Sequence, residues 1–303
     1  MNGVPFNVVT GAFGFSGRYI ASRLLACGES VLALTNRAPG TPYTRVAPLD
    51  FRNPQALAES MRGAKVLYNT YWVRFAYGKI SHERAVENSR ILVQAGEQAG
   101  LERVVHLSVT NPSSNSPLSY FRGKAAVEDI IRSSSLTYAV LRPALIFGRE
   151  DILINNIAWL LRRSPLFAIP GDGEYGLTPI FVEDLAAFAV ENGRGRGNVV
   201  VDAVGPETYN YKELVQLVRE SIRSRSRVFC APPSLVYVAS RLLGFLVHDI
   251  LLNKEEMSGL MANLLVSNQL PAGTTSLRKW LRENAETVGK AYASEIERHY
   301  KRA

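Results

Sequence analysis

The stretch that decides the fold is Thr10-Gly11-Ala12-Phe13-Gly14-Phe15-Ser16-Gly17-Arg18, in which glycines recur every three residues after a short apolar run. Each glycine has its own task if a dinucleotide binds here. Gly11 permits a tight turn, Gly14 lets the backbone approach the pyrophosphate, and Gly17 lets the following helix lie close to the strand. That helix would present its free N–H groups and its positive end to the phosphates. The turn lies between a predicted strand and a predicted helix, and this context indicates a dinucleotide site.

The segments beyond this turn alternate between β-branched runs and helical patterns, as βαβ units do. Predicted strands cover residues 6–10, 31–35, 65–70, 103–108, 136–146 and 198–203, and predicted helices cover residues 16–26, 54–61, 82–99, 120–132, 181–191 and 210–223. This order predicts an α/β fold, a doubly wound parallel sheet of the Rossmann type, with a smaller, mostly helical C-terminal substrate subdomain.

The alternation weakens after about Gly148, so we predict a Rossmann core over residues 1–150, to which residues 177–204 return. The substrate-binding subdomain then takes residues 151–176 and 205–303. Its last element is predicted as a charged helix from about Leu277 to the C-terminus.

The composition is typical of a globular protein. The 303 residues are 47% hydrophobic and 20% charged, which argues against a disordered chain and against a polytopic membrane protein. A net charge of +8 makes phosphate-bearing ligands, nucleic acid or an anionic membrane surface conceivable partners. Cys27 and Cys230 show neither zinc-site nor disulfide-framework spacing, and because a strand-like run begins at Phe6 we expect no signal peptide before it. We therefore expect a protein of the reducing cytoplasm.

The end of the second predicted strand indicates which dinucleotide binds. NAD-binding folds place an acidic residue there, whereas this chain has Leu34-Thr35-Asn36-Arg37. The guanidinium of Arg37 suits a 2′-phosphate, and Arg18 could add a second cation. We therefore predict that the chain binds NADP(H) in preference to NAD(H). The alternative is that Arg37 is a solvated loop residue. Asp50 follows the third strand and could accept a hydrogen bond from the adenine amino group.

A phenol and an ammonium lie four residues apart at Tyr120 and Lys124, on one face of a predicted helix. An ammonium close to a phenol favours the phenolate, so Tyr120 could give or take the proton that accompanies hydride transfer. Lys124 could also bind the nicotinamide ribose. A hydroxyl at the end of the preceding strand would hydrogen-bond the substrate oxygen; Ser108 is our candidate, and Thr110 competes with it equally.

With these residues the chain resembles extended or atypical short-chain dehydrogenase/reductases, the NAD-dependent epimerase/dehydratase and NmrA-like grouping. Within this grouping, the chain most resembles the branch that includes the NDUFA-type accessory subunit of respiratory complex I. The resemblance covers nearly the whole chain, and it rests on the glycine turn, Asp50, Tyr120 with Lys124, Leu141–Gly148, Pro179–Asp184 and Gly205–Glu207. It implies a Rossmann core, NADP(H), Pro143 near the nicotinamide, and a C-terminal subdomain that closes over the substrate.

The complete set of predicted site residues follows from the motifs and the resemblance. The catalytic residues are Ser108, Tyr120 and Lys124. The cofactor-binding residues are Gly11, Phe13, Gly14, Phe15, Gly17, Arg37, Asp50, Phe51, Thr70, Lys124 and Pro143. Tyr71 and Trp72 stand where the family usually has small residues, and they could form a wall for a substrate or could block the pocket. No metal site is predicted, because the histidines show no ligand spacing.

The most apolar stretch, Ser234 to Leu252, is interrupted by charged residues and is too mixed for a clean membrane-spanning helix. We interpret it as an amphipathic helix of the substrate subdomain, with a peripheral membrane contact or the lining for a lipophilic substrate as the minority interpretation. The Ser/Arg run from Arg223 to Arg227 has no aromatic interleaving, so a solvated face is favoured over a nucleic-acid site. A homodimer through two long flanking helices is conceivable.

Two hypotheses follow for the function. The first is an NADP(H)-dependent oxidoreductase or epimerase of the short-chain type, acting on a carbonyl or hydroxyl small molecule through Ser108, Tyr120 and Lys124. The second is a non-catalytic NADPH-binding regulatory or assembly protein.

Overall fold

The computed structural model describes residues 5–36, 45–76, 78, 80–294 and 296. In chain order its strands are β1 (Phe6–Thr10), β2 (Ser30–Leu34), β3 (Arg45–Ala47), β4 (Ala64–Asn69), β5 (Arg103–Leu107), β6 (Thr137–Arg142), β7 (Leu145–Phe147), β8 (Leu166–Pro170), β9 (Gly176–Leu177), β10 (Pro179–Phe181), β11 (Val199–Asp202), β12 (Tyr209–Asn210) and β13 (Arg227–Ala231). Its helices are α1 (Phe15–Ala26), α2 (Pro54–Met61), α3 (His82–Ala99), α4 (Ser119–Arg132), α5 (Leu153–Arg163), α6 (Val182–Arg194), α7 (Tyr211–Ser221), α8 (Pro233–Val247), α9 (Lys254–Met261) and α10 (Leu277–Glu283).

The main sheet has seven strands in the order β11-β6-β5-β4-β1-β2-β3, and every described pairing within it is parallel. β1 and β5 are buried along their whole length, as expected of strands covered on both faces. The chain adds β2 and β3 on one side of β1, then returns to add β4, β5 and β6 on the other. This reversal creates the crevice where doubly wound sheets bind ligands, and it confirms the predicted fold class.

Local signals place the helices that flank this sheet. The Asn53 side chain accepts a hydrogen bond from the Ala56 amide at the start of α2, and the Ser81 hydroxyl does the same for Arg84 at the start of α3. α3 ends at Gly100, whose φ of 77° lies in the left-handed region that terminates helices. These caps explain why α2 and α3 have the predicted bounds.

The chain divides into two compact units. The first contains the described residues up to Arg142 together with Leu185–Asp202, and it carries the seven-stranded sheet. The second contains Pro143–Asp184 and the described residues from Ala203 onward. Its core is formed by side chains of α5, α7, α10, β7, β8 and β9, among them Phe147, Ile169, Leu177, Leu214 and Trp280.

Three predicted elements are wrong in extent. The helix predicted over Ser234 to Leu252 ends at Val247, where His248 in the left-handed region is the C-cap residue. The single strand predicted over residues 136–146 is two strands: β6 ends at Arg142, and β7 pairs with β10 instead. Pro143 lies between them and has no N–H to continue a ladder. The helix predicted from Leu277 to the C-terminus ends at Glu283, where Asn284 is its C-cap residue.

Candidate active site

The glycine-rich turn has the geometry that each glycine predicts. Gly11 has a φ of +63°, and a Cβ there would lie 2.8 Å from the Thr70 hydroxyl oxygen. The Gly14 amide donates a 2.7 Å hydrogen bond to the Gly11 carbonyl oxygen. A Cβ at Gly17 would collide with that same carbonyl, so no other residue fits where α1 crosses β1. The turn therefore requires glycine for both backbone conformation and space.

α1 begins directly at this turn, with Gly14 as its N-cap residue. No side chain caps the helix start, and the first turn contains no acidic residue. The positive end of the helix is thus neither capped nor neutralised by its own side chains. Together with the close backbone approach at Gly11 and Gly17, this start fits a pyrophosphate. Phe13 and Phe15 are half-buried beside it.

A buried polar network joins the carboxyl ends of β1, β4 and β5. The Thr10 hydroxyl donates to Asn69 Oδ1 at 3.1 Å and accepts from the Thr70 amide at 2.8 Å. The Thr70 hydroxyl returns a 2.6 Å bond to the Thr10 carbonyl, and Asn69 Nδ2 lies 3.2 Å from His106 Nδ1. The network fixes the floor of the crevice at the strand ends, including Thr70, which the sequence assigned to the cofactor.

The end of β2 carries no carboxylate. Asn36 stands there, and its amide donates to the Leu49 carbonyl at 2.9 Å, which ties this strand end to the segment after β3. Arg37 lies outside the described residues, so its predicted contact with a 2′-phosphate stays a prediction. The carboxylate of Asp50 accepts hydrogen bonds from the Arg52 amide and side chain, which hold the pKa of Asp50 below its usual value. It is part-exposed, at the predicted position after β3.

Tyr71 and Phe51 pack against each other, with ring centroids 4.8 Å apart. The Tyr71 hydroxyl accepts a 2.7 Å hydrogen bond from Asn88 on α3, and burial raises the pKa of its phenol. This phenol is therefore held in place as part of the wall between β4 and α3.

Trp72 belongs to a different cluster, made with His82 of α3 and Tyr120 of α4. The Trp72 and His82 rings are stacked with centroids 5.7 Å apart, and the Tyr120 ring meets both edge-on, at 5.9 Å and 5.7 Å. A Cβ at Gly123 would lie 2.8 Å from the Trp72 ring, so this glycine admits the indole against α4. The Ser119 hydroxyl lies 2.7 Å from His82 Nδ1 and fixes the imidazole. These four side chains and Gly123 bring the predicted acid/base Tyr120 together with the predicted wall residue Trp72.

Lys124 lies beneath that cluster and is 97% buried. Its ammonium donates a 2.7 Å hydrogen bond to the carbonyl oxygen of Leu107, the last residue of β5, and lies 4.7 Å from the centre of the Trp72 ring. Burial lowers the pKa of Lys124 to about 7, although the carboxylate of Glu128 opposes the shift. Burial also lowers the pKa of nearby His106, and the positive charge of Lys124 lowers it further. Lys124 can thus change protonation state near neutral pH.

Ser108 is held by a partner that the sequence analysis missed. Its hydroxyl donates a 2.6 Å hydrogen bond to the buried carboxylate of Glu128, which also binds Arg142 and Arg132. The proton of Ser108 is therefore directed at α4. Thr110, the competing hydroxyl, is buried two residues farther along the same segment.

Comparisons with known proteins agree with this geometry. Residues 11–152 match a family model described as NAD(P)H-binding. A mitochondrial protein of Arabidopsis thaliana, NADH dehydrogenase (ubiquinone) 1 alpha subcomplex subunit 9, is 24% identical over 86% of this chain and 70% of its own length. A ceramide reductase of Caulobacter vibrioides is 26% identical over 78% of this chain and 76% of its own length.

The solved structure of an NADPH-dependent quinone oxidoreductase from Escherichia coli, complexed with NADPH, superposes with a TM-score of 0.73. It is 18% identical and covers 93% of this chain and 99% of its own, so it shows that the two share a fold.

Residues 11–152 match the NAD(P)H-binding family, and the relatives and the shared fold support the resemblance to extended short-chain dehydrogenase/reductases inferred from the motifs. Among extended short-chain proteins the glycine turn and the Tyr120–Lys124 helix are the expected features, and both lie in its first unit. Within the described residues, no group of histidine, cysteine and acidic side chains could hold a metal ion, and no helix is long and apolar enough to cross a membrane.

Several site residues of this protein were not singled out from sequence. His82 and Ser119 each open a helix, and no motif connects them. Glu128 had a usable signal, because it lies one turn beyond Lys124 on the same face of α4. Pro143 opens the second unit, and its predicted place beside the nicotinamide stays a prediction.

Proposed function

We propose that this protein is an NADP(H)-dependent oxidoreductase that interconverts a carbonyl and a hydroxyl group on a small molecule. The observation that carries the proposal is the bond from Lys124 Nζ to the Leu107 carbonyl. It joins α4 to the carboxyl end of β5, and Tyr120 lies one turn away on that helix. A phenol and a titratable amine therefore lie at the edge of the sheet where ligands bind.

The chemistry divides between cofactor and protein. NADPH, when bound, supplies the hydride that reduces the carbonyl carbon. The Tyr120 hydroxyl donates a proton to the carbonyl oxygen, and in the reverse direction its phenolate accepts the proton of the alcohol. Lys124, with a pKa of about 7, can stabilise the phenolate as an ammonium and can return a proton to it.

The third member of the site is a hydroxyl that binds the substrate oxygen. Ser108 and Thr110 are the two candidates, and the Ser108 proton is directed at the Glu128 carboxylate. The role belongs to the residue whose variant, Ser108→Ala or Thr110→Val, loses more turnover. Equal turnover in both variants and in the unchanged protein would contradict the role of either hydroxyl.

The preference for NADP(H) over NAD(H) rests on the absence of a carboxylate at the end of β2 and on the two arginines, Arg37 and Arg18. Titration of NADPH and NADH against intrinsic tryptophan fluorescence should show tighter binding of NADPH. Arg37→Ser should reduce that preference. Equal affinity of the unchanged protein for both nucleotides would contradict the assignment.

The second candidate function is a regulatory or assembly protein that holds NADPH without turnover. The observation that favours it is the burial of Lys124, which is 97% buried and whose ammonium lies under the Trp72 ring. The similarity to the Arabidopsis NADH dehydrogenase subunit is compatible with such a role.

One comparison separates the two functions. Tyr120→Phe should retain NADPH affinity while NADPH oxidation with a panel of aldehydes and ketones falls by about 10²- to 10⁴-fold. Tyr138→Phe, a half-exposed tyrosine on β6, is the matched control and should keep its turnover. If the unchanged protein binds NADPH but oxidises it with no member of the panel, and Tyr120→Phe behaves identically, the non-catalytic function is supported.

A further inference from the structure

Helix α8 carries an apolar stripe on its exposed side. Leu235, Val238, Leu242 and Phe245 recur at intervals of three and four residues, and 62%, 56%, 67% and 82% of their respective surfaces are exposed. At 100° per residue these positions fall within one narrow face of the helix. Exposed apolar faces of this kind mark a contact surface.

Apolar side chains are also exposed on β8 and β13, the strands next to α8. β13 pairs in register with β8, so that Phe229 stands opposite Ala168 and Arg227 opposite Leu166. In a parallel pair the side chains of registered partners point to the same face. Leu166 and Phe229 are both exposed, and α8 lies against β8. All of these residues belong to the second unit.

The charges along this stretch of the sequence have one sign. From Arg223 to Val247 the sequence contains four arginines and no acidic residue. The four are Arg223, Arg225, Arg227 and Arg241, all exposed, and none of them forms a salt bridge with another described residue. Arg241 lies on α8 beside the edge of the stripe.

We propose that α8 and the Arg223–Arg227 segment together bind the surface of an anionic membrane. The apolar stripe would enter the boundary between headgroups and acyl chains, with the helix axis in the membrane plane, and the arginines would contact anionic headgroups. α8 has 15 residues and spans about 22 Å, which suits a helix lying on a membrane and is too short to cross one.

A second copy of this chain fits the same surface less well. A twofold interface places a patch against itself, so the four arginines would face four arginines with no carboxylate of the patch between them. Like charges at an interface oppose association. Charge complementarity therefore favours an anionic surface.

The proposal is tested by flotation of the full-length protein with vesicles of phosphatidylcholine alone and of phosphatidylcholine mixed with phosphatidylglycerol. Binding should require phosphatidylglycerol and should weaken with salt. Leu242→Ser/Phe245→Ser should weaken it by at least about tenfold, because two large apolar side chains no longer enter the membrane. Arg225→Gln/Arg227→Gln should weaken it by roughly 25-fold, since each cation near an anionic surface contributes about fivefold.

Two substitutions serve as matched controls. Leu270→Ser removes another exposed leucine and Arg196→Gln another exposed arginine, both outside this surface, and both should leave binding unchanged. Circular dichroism and NADPH affinity report that each variant remains folded. Equal binding to neutral vesicles, or no binding to either kind, would overturn the proposal. So would a dimer, detected by light scattering, that Leu242→Ser/Phe245→Ser converts to a monomer while vesicle binding is absent.

Discussion

The indole of Trp72 lies over the ammonium of Lys124, with the nitrogen 4.7 Å from the ring centre. The contact joins a residue just after β4 to the interior of α4, where the amine is buried. Since burial is the main cause of the lowered pKa of Lys124, we expect the indole to contribute to that shift. Trp72 is accordingly more than a wall for a substrate.

Trp72→Leu should raise the pKa of Lys124 from about 7 toward its ordinary value, because a smaller side chain lets water reach the amine. The pH titration of the isotope-labelled Lys124 ε-carbon by NMR measures the shift. Phe51→Leu changes an aromatic residue of the neighbouring cluster and should leave the titration midpoint of Lys124 unchanged. An unchanged midpoint in Trp72→Leu would show that the indole is not what buries Lys124.

The stability of the protein should rise with pH between about pH 7 and pH 9. Lys124 has a lower pKa in the folded chain than in the unfolded chain, so the unfolded chain binds more protons in this range, and stability increases where that is so. Below about pH 7 both forms are protonated and the full burial cost of the ammonium is present, on the order of a few kcal/mol. Urea unfolding across this range should show the rise in the unchanged protein, whereas Lys124→Met should lack most of it.

Glu128→Gln should lower the free energy of unfolding by about 3 kcal/mol, because it leaves Arg142 and Arg132 without the carboxylate that they share. Glu59→Gln is the control. It breaks the exposed pair with Arg62 and should cost less than about 1 kcal/mol. Denaturant unfolding measures the free energy of unfolding of both variants. Equal losses of unfolding free energy would mean that the buried network contributes no more to stability than a surface pair.

Gly17→Ala should abolish nucleotide binding and reduce stability, because its Cβ would occupy the position of the Gly11 carbonyl oxygen. Gly197→Ala is matched to it, since no atom lies within 4 Å of a Cβ at that position. NADPH titration and thermal unfolding measure the two effects. Normal NADPH affinity in Gly17→Ala would show that the turn does not hold the cofactor.

Local signals were enough to predict most of the fold. The glycine spacing, the β-branched runs and the helical patterns act within a few residues of chain, so they can be recognised without knowing what packs against them. The strand across Pro143 was predicted wrongly because residues 136–146 are mostly apolar, and apolar character does not say which sheet a residue joins. The final helix was predicted too long because charge alone does not set a helix end.

The sequence by itself determined that a glycine turn follows the first strand and that Tyr120 and Lys124 share a helix face, because both depend on spacing along the chain. Only the tertiary structure decided what those side chains touch. The Ser108 hydroxyl binds Glu128, twenty residues away, and Trp72 and His82 meet Tyr120 from two other segments. The protonation of a buried amine depends on the groups around it, and here those groups come from α4, the end of β5 and the segment after β4, which the fold alone brings together.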